Sequence, residues 1–149
     1  AALAEMARVT GSGGTIGAYV WDYAGKMELM RFFWDVAVGL NPGAATLDEG
    51  IRFPLCQPEA LSELFVSTRF LSVEVTAIDI PTPFESFEDY WRPFLGGQGP
   101  APAYAASLPE DRRSALRELI RGALPAASDG SIGLTARAWA VRGSRPASS

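Results

Sequence analysis

Hydrophobic periodicity in this chain switches back and forth between the 3.6-residue repeat of helices and the two-residue repeat of strands, which predicts an α/β fold. Most of the switches fall at glycine, proline or a capping residue, the local signals that end one element and start the next. The order read this way is helix, strand, helix, strand, helix, strand. A chain of 149 residues suffices for one domain that buries roughly 70% of its unfolded surface. The expected organisation is a single α/β domain over residues 1–142 with a flexible tail over residues 143–149.

Leu3, Met6 and Ala7 recur at helical spacing, and Gly11, Gly13 and Gly14 stop that helix in a tight turn. The first residue is alanine and the opening AALAEMARV reads as the middle or end of a helix, the look of a processed or truncated beginning. Thr15 to Trp21 is apolar on both alternating faces, as a strand covered on both sides of a parallel sheet should be, and is the best candidate for a central strand. From Met27 to Val38 the polar residues Glu28, Arg31 and Asp35 share one narrow stripe, so this helix should be mostly enclosed. Gly39 to Cys56 has no period and reads as a loop.

Pro58 suits the first turn of a further helix, whose buried face is Ala60, Leu61, Leu64 and Phe65. Leu71, Val73, Val75 and Ala77 alternate with polar residues as a half-buried strand that Pro81 and Pro83 should end. Ser107 and Glu110 have the spacing of a capping box in front of a helix that buries Leu116, Leu119, Ile120, Ala123 and Leu124. Asp129-Gly130 signals a turn into a last strand with Ile132, Leu134, Ala136, Ala138 and Ala140 on one face. Gly143 to Ser149 has the composition of a frayed terminus.

Composition narrows the function. Hydrophobic residues make up 48% of the chain and charged residues 20%, values of a globular protein rather than a disordered one. A net charge of −4 with dispersed arginines argues against nucleic acid, since phosphate neutralisation needs a concentrated basic face. With no histidine there is no Ser-His-Asp or Cys-His relay and no His-rich metal site. The single cysteine, Cys56, excludes an internal disulfide and reads as a small buried residue in a protein of the reducing cytoplasm. No apolar run is long enough to cross a bilayer. The glycines at Gly11 to Gly14 lie between a helix and a strand, the wrong polarity for a phosphate cradle.

The run VTGSGGTIGAYVWDYA, Val9 to Ala24, resembles the segment of class I S-adenosylmethionine-dependent methyltransferases in which a helix ends in a glycine turn and leads into the fifth strand. Members often carry Arg-Pro before the paired glycines where this chain has Gly11-Ser12. The likeness continues through the enclosed helix, the Gln57-Pro58-Glu59-Ala60 helix start, the strand at Leu71 to Ile80 and the closing strand at Leu134 to Val141. Phe87 to Tyr104 is similar to a substrate-side insertion in small-molecule methyltransferases. The resemblance implies the later half of a Rossmann-like methyltransferase sheet: three strands, the last two antiparallel, with flanking helices. It implies S-adenosylmethionine as cofactor and a small-molecule acceptor. The family's cofactor elements, a glycine-rich loop after the first strand and an acid ending the second, have no counterpart in these residues, so no cofactor contact is assigned and the fragment alone should be inactive.

Candidate site residues follow from position. Ligands of doubly wound sheets gather beyond the carboxyl ends of the strands, where Trp21, Asp22 and Tyr23 fall, and Asp22 or Tyr23 is the candidate base. Asp22 can equally cap the next helix, with Trp21 and Tyr23 as core or rim aromatics. Met27, Met30, Arg31 and Trp34 repeat along one helix and can line a pocket, or form plain core with Arg31 paired to Asp35. Tyr90, Trp91, Phe94 and Gln98 lie among glycines and suit a substrate-covering lid, or fold back over the core. In the family's order the strand Thr15 to Trp21 lies between the strand before it in sequence and the closing strand from Ile132 to Val141, so it has a missing neighbour, and self-association through its open edge is expected. The competing class is a non-enzymatic module that binds an apolar ligand or assembles with itself.

Overall fold

The computed structural model describes residues 2–147. It is a mixed α/β structure in which a three-stranded sheet, β1 (Thr15–Trp21), β2 (Leu71–Phe84) and β3 (Ile132–Ser144), is flanked by helices. The strand order is β1-β3-β2, and β3 runs antiparallel to both neighbours. The helices are α1 (Ala2–Val9), α2 (Glu28–Leu40), α3 (Glu49–Arg52), α4 (Pro58–Ser67), α5 (Phe87–Trp91), α6 (Pro100–Ser107) and α7 (Glu110–Ala123).

β3 is central because both of its faces are apolar, each over a different part of its length. Ile132, Leu134, Ala136 and Ala138 are buried on one face. Ile132 and Leu134 join a core with Phe33 and Trp34 of α2, Tyr90 and Trp91 of α5, Tyr104 of α6 and Leu116 and Ile120 of α7. Val141 has the opposite parity and packs with Ile16 of β1 and with Leu61, Phe65 and Phe70 around α4, while Leu3 and Ala7 of α1 close that second core. Gly143 lets the helix come this near: a β-carbon there would lie 2.9 Å from Phe70 Cβ and 3.2 Å from Phe65 Cδ1.

Several expectations need correction. β1 is not covered on both faces: Ile16 is its one buried residue and Tyr19 is 72% exposed, and within this sheet it is an edge strand with β3 alone as partner, the open side expected for it. β2 does not stop at Ile80 but runs through Pro81, paired with Thr135, and Pro83, paired with Gly133. As an edge strand it has a ladder on one side only, so a residue lacking N–H is tolerated where that position faces outward. The aperiodic stretch before Pro58 holds three short helical pieces: 3-10 turns at Pro42–Thr46 and Pro54–Cys56, and α3 between them. Asn41 and Asp48 start the first turn and α3 by accepting from the amides of Gly43 (3.1 Å) and Gly50 (2.8 Å).

The Ser107–Glu110 capping box does not form. Ser107 ends α6 and its hydroxyl donates to the Tyr104 carbonyl at 2.8 Å, while Pro109 occupies the cap position of α7. Leu119 is exposed, since Leu116, Ile120 and Leu124 already fill the buried face of α7. Residues expected to fray are tied down as far as Arg145: β3 continues to Ser144, the Arg145 amide donates to the Gly14 carbonyl at 2.8 Å, and its guanidinium reaches the Thr10 carbonyl. Ser148 and Ser149, the end of that tail, and Ala1 lie outside the described residues. The glycine turn after α1 and the Asp129-Gly130 turn are as expected, with Gly13 at φ 71° and Gly130 at φ 86°, conformations that other residues adopt at a cost.

Candidate functional site

Beyond the carboxyl end of β1 the chain makes a tight turn over residues 22–27. The Asp22 carbonyl accepts from the amides of Gly25 and Met27, and its carboxylate accepts from the Lys26 amide at 2.9 Å. Asp22 is only 6% exposed. Its side chain therefore holds this turn rather than capping α2, which starts at Glu28 with no side-chain cap. Gly25 is required for the close wrap, as a β-carbon there would lie 2.6 Å from Asp22 Oδ2.

Arg31, one turn into α2, gathers the site. Its guanidinium donates to Asp48 through both terminal nitrogens (2.8 Å each), to Asp35 at 2.7 Å and to the Tyr23 carbonyl at 3.0 Å. The Asp35 pairing is the one its i+4 spacing foretold. Burial works against the Arg31 charge, but the hydrogen bonds from Asp48 and then Asp35 outweigh it and raise its pKa further above the ordinary value. Gly50 packs on this cluster: an added β-carbon would lie 2.8 Å from both Arg31 Nη1 and the Tyr23 carbonyl. We expect Gly50→Ala to push Arg31 out of place and cost about 1–3 kcal/mol, read from urea denaturation.

An open cleft of about 570 Å³ lies over this cluster, lined by Ala24, Gly25, Arg31, Asp35, Asp48 and Ile51 among others. Behind it, Trp34 donates its indole N–H to buried Glu49. Burial, followed by the charges of Glu49 and Cys56, pushes the Tyr23 phenol up. Burial also raises the Cys56 thiol, with the Asp22 carboxylate adding to it against the pull of the Tyr23 backbone. The arrangement can position a polar ligand. With two carboxylates on it, Arg31 has no surplus charge for a substrate anion.

The structure brings the Tyr23 backbone carbonyl to Arg31, leaves the adjacent Asp22 carboxylate on the Lys26 amide, and separates the other candidates. Trp21 is half-buried at the strand end, and Met27 and Met30 are half-buried. Met27 bridges Ala136, and Met30 packs on the core. Trp34 is fully buried. The lid expectation is corrected: Tyr90, Trp91 and Phe94 are not in a surface loop but in α5 and the 3-10 turn after it, with their rings in the core, Trp91 and Phe94 against Phe33 and Tyr90 against Phe84 and Phe94. The Tyr90 hydroxyl donates to the Leu29 carbonyl at 2.9 Å, and burial raises its pKa. Gln98 is exposed, on a turn made by Gly97 (φ 67°) and Gly99 (φ 90°).

Sequence reasoning missed Asp48 and Glu49, both buried. Their signal is Asp-Glu-Gly at the start of a four-residue helix, where Asp48, just ahead of it, caps the amide two residues on. Among the described residues no group of three or more His, Cys, Asp or Glu side chains is placed to hold a metal ion, and no helix is long and apolar enough to cross a membrane. No protein-family model matches the chain, and no curated protein matches it.

Proposed function

We propose that the chain is the later half of a cytoplasmic S-adenosylmethionine-dependent methyltransferase acting on a small molecule. The observation that supports this most is the strand order: β3 comes last in sequence yet lies between β1 and β2, antiparallel to both. That is the order which the resemblance of the Val9 to Ala24 run implies. Methyl transfer from a sulfonium is an in-line displacement that depends on positioning and desolvation, so a chain without histidine can serve it. In this reading the cofactor is held by residues preceding the chain, and the Asp22–Tyr23–Arg31 corner contributes to the acceptor side. Incubating the polypeptide that includes the preceding sequence with methyl-labelled S-adenosylmethionine and pooled small nucleophiles should label a small product. Cofactor binding without methyl transfer to any nucleophile class would count against the reading.

The same reading fixes the role of the β1 edge. The Asp22 amide donates to the Arg137 carbonyl and the Arg145 amide to the Gly14 carbonyl, so even-numbered residues of β1 bond to β3. Thr15, Gly17, Tyr19 and Trp21 then present their amides and carbonyls outward. No charged side chain guards this strand, in contrast to β2 with Pro81, Pro83, Glu74 and Asp79. In the longer polypeptide a parallel strand fills the edge. The chain by itself associates through it, most simply as a two-fold dimer continuous along Thr15 to Trp21. Light scattering across a concentration series should show mass rising to twice the monomer, and Tyr19→Lys, by placing two like charges at the seam, should restore the monomer. A wild-type chain monomeric at all concentrations would contradict this.

A further inference from the structure

A second cavity, of about 350 Å³, opens between the end of α2 and the α6–α7 pair. It shares no residue with the cleft over Arg31. Its walls are apolar: Leu40, Pro42, Leu108 and Leu116. Three polar side chains line it as well, and each has hydrogen-bond donors to spare.

Tyr104 is 8% exposed, and its hydroxyl, which reaches the accessible surface, makes no hydrogen bond to any described residue. Asn41 has committed its carbonyl oxygen to the Gly43 amide, which leaves the side-chain NH2 as its free polar group. Arg112 differs from the other arginines of α7. Arg113 pairs with Glu110, and Arg117 and Arg121 each pair with Glu88 and Glu118. Those three fall on one helical stripe, while Arg112 is turned off it to the cavity and has no ion pair among the described residues.

An apolar-walled cleft, open at the surface, whose polar groups are donors, one of them a cation, is complementary to an anionic acceptor on a hydrocarbon body. We propose that the chain binds a small amphipathic carboxylate here. Its hydrocarbon body lies against Leu40, Pro42, Leu108 and Leu116, and its head group accepts from the Tyr104 hydroxyl, the Asn41 amide and Arg112. This site does not depend on the methyltransferase reading.

Octanoate titrated calorimetrically into the 149-residue chain, with octan-1-ol as the uncharged control, tests the proposal. Octanoate should bind saturably at one site, with the alcohol at least about tenfold weaker, since one charge-assisted hydrogen bond is worth about that factor. Arg112→Gln, at an exposed position, should weaken octanoate about tenfold and leave octanol unchanged. Tyr104→Phe should weaken it several-fold. Ala115→Trp, which fills the cavity from the helix surface, should abolish both, with Ala115→Leu as the milder filler if the tryptophan lowers the melting temperature. Absence of saturable octanoate binding, equal affinity for acid and alcohol, or affinity unchanged by Arg112→Gln and Tyr104→Phe would each overturn it.

Discussion

Asp48→Ala should destabilise the chain by about 3–5 kcal/mol, the cost of leaving one member of a buried ion pair without its partner. Asp48 has a side chain 4% exposed and that of Arg31 is 16% exposed, so water from the cleft replaces the lost carboxylate only in part. Asp35 remains, but it is 69% exposed and bonds one terminal nitrogen only. The substitution also removes the acceptor for the Gly50 amide at the start of α3. Asp35→Ala should cost less than about 0.5 kcal/mol, as solvated helical pairs do. Pairing Asp48→Ala with Arg31→Met should recover much of the loss, since the uncompensated charge is then gone. Urea denaturation of the three variants beside the wild type measures all three values. Equal small losses at Asp48 and Asp35 would show that Arg31 is solvated in solution.

Tyr90→Ala and Trp91→Ala should each cost about 3–5 kcal/mol, the range for deleting a buried aromatic and leaving a cavity. A lid would have predicted less than about 1 kcal/mol, with the loss appearing in turnover instead. Tyr90 and Trp91 sit among Phe33, Phe84, Phe87 and Phe94 with ring centroids 5.4–6.5 Å apart. Tyr90→Phe should cost only about 1 kcal/mol for the hydrogen bond to the Leu29 carbonyl. Thermal or chemical melts of the three variants decide between core and cover.

What the sequence made legible was whatever obeyed a period. α2, α4 and β3 declared themselves because Glu28, Arg31 and Asp35 confine the polar residues of α2 to one stripe, while Leu61 and Phe65, or Ile132, Leu134 and Ala136, recur at helical or alternating spacing and are buried. What it hid depended on neighbours in space. Pro81 and Pro83 look like a strand end unless it is known that β2 lies at an edge. Tyr90, Trp91 and Phe94 lie in a five-residue helix and a 3-10 turn, too short to show a period, so their aromatic density read as a loop with something to cover. At the site, Arg31 and Asp35 were visible as an i+4 pair. Asp48 was not, because an ion pair across seventeen residues has no sequence signature until the turn after β1 and the start of α3 meet.

The central claim, a methyltransferase half whose cofactor site lies in preceding residues, is tested most directly by titrating S-adenosylmethionine calorimetrically into two polypeptides. One is the 149-residue chain and the other is that chain with the sequence that precedes it. The account predicts no binding tighter than about 10 μM, or roughly 7 kcal/mol, to the chain alone, and clear binding to the longer polypeptide. Binding tighter than that to the chain alone, or none to the longer polypeptide when it is folded, would contradict it.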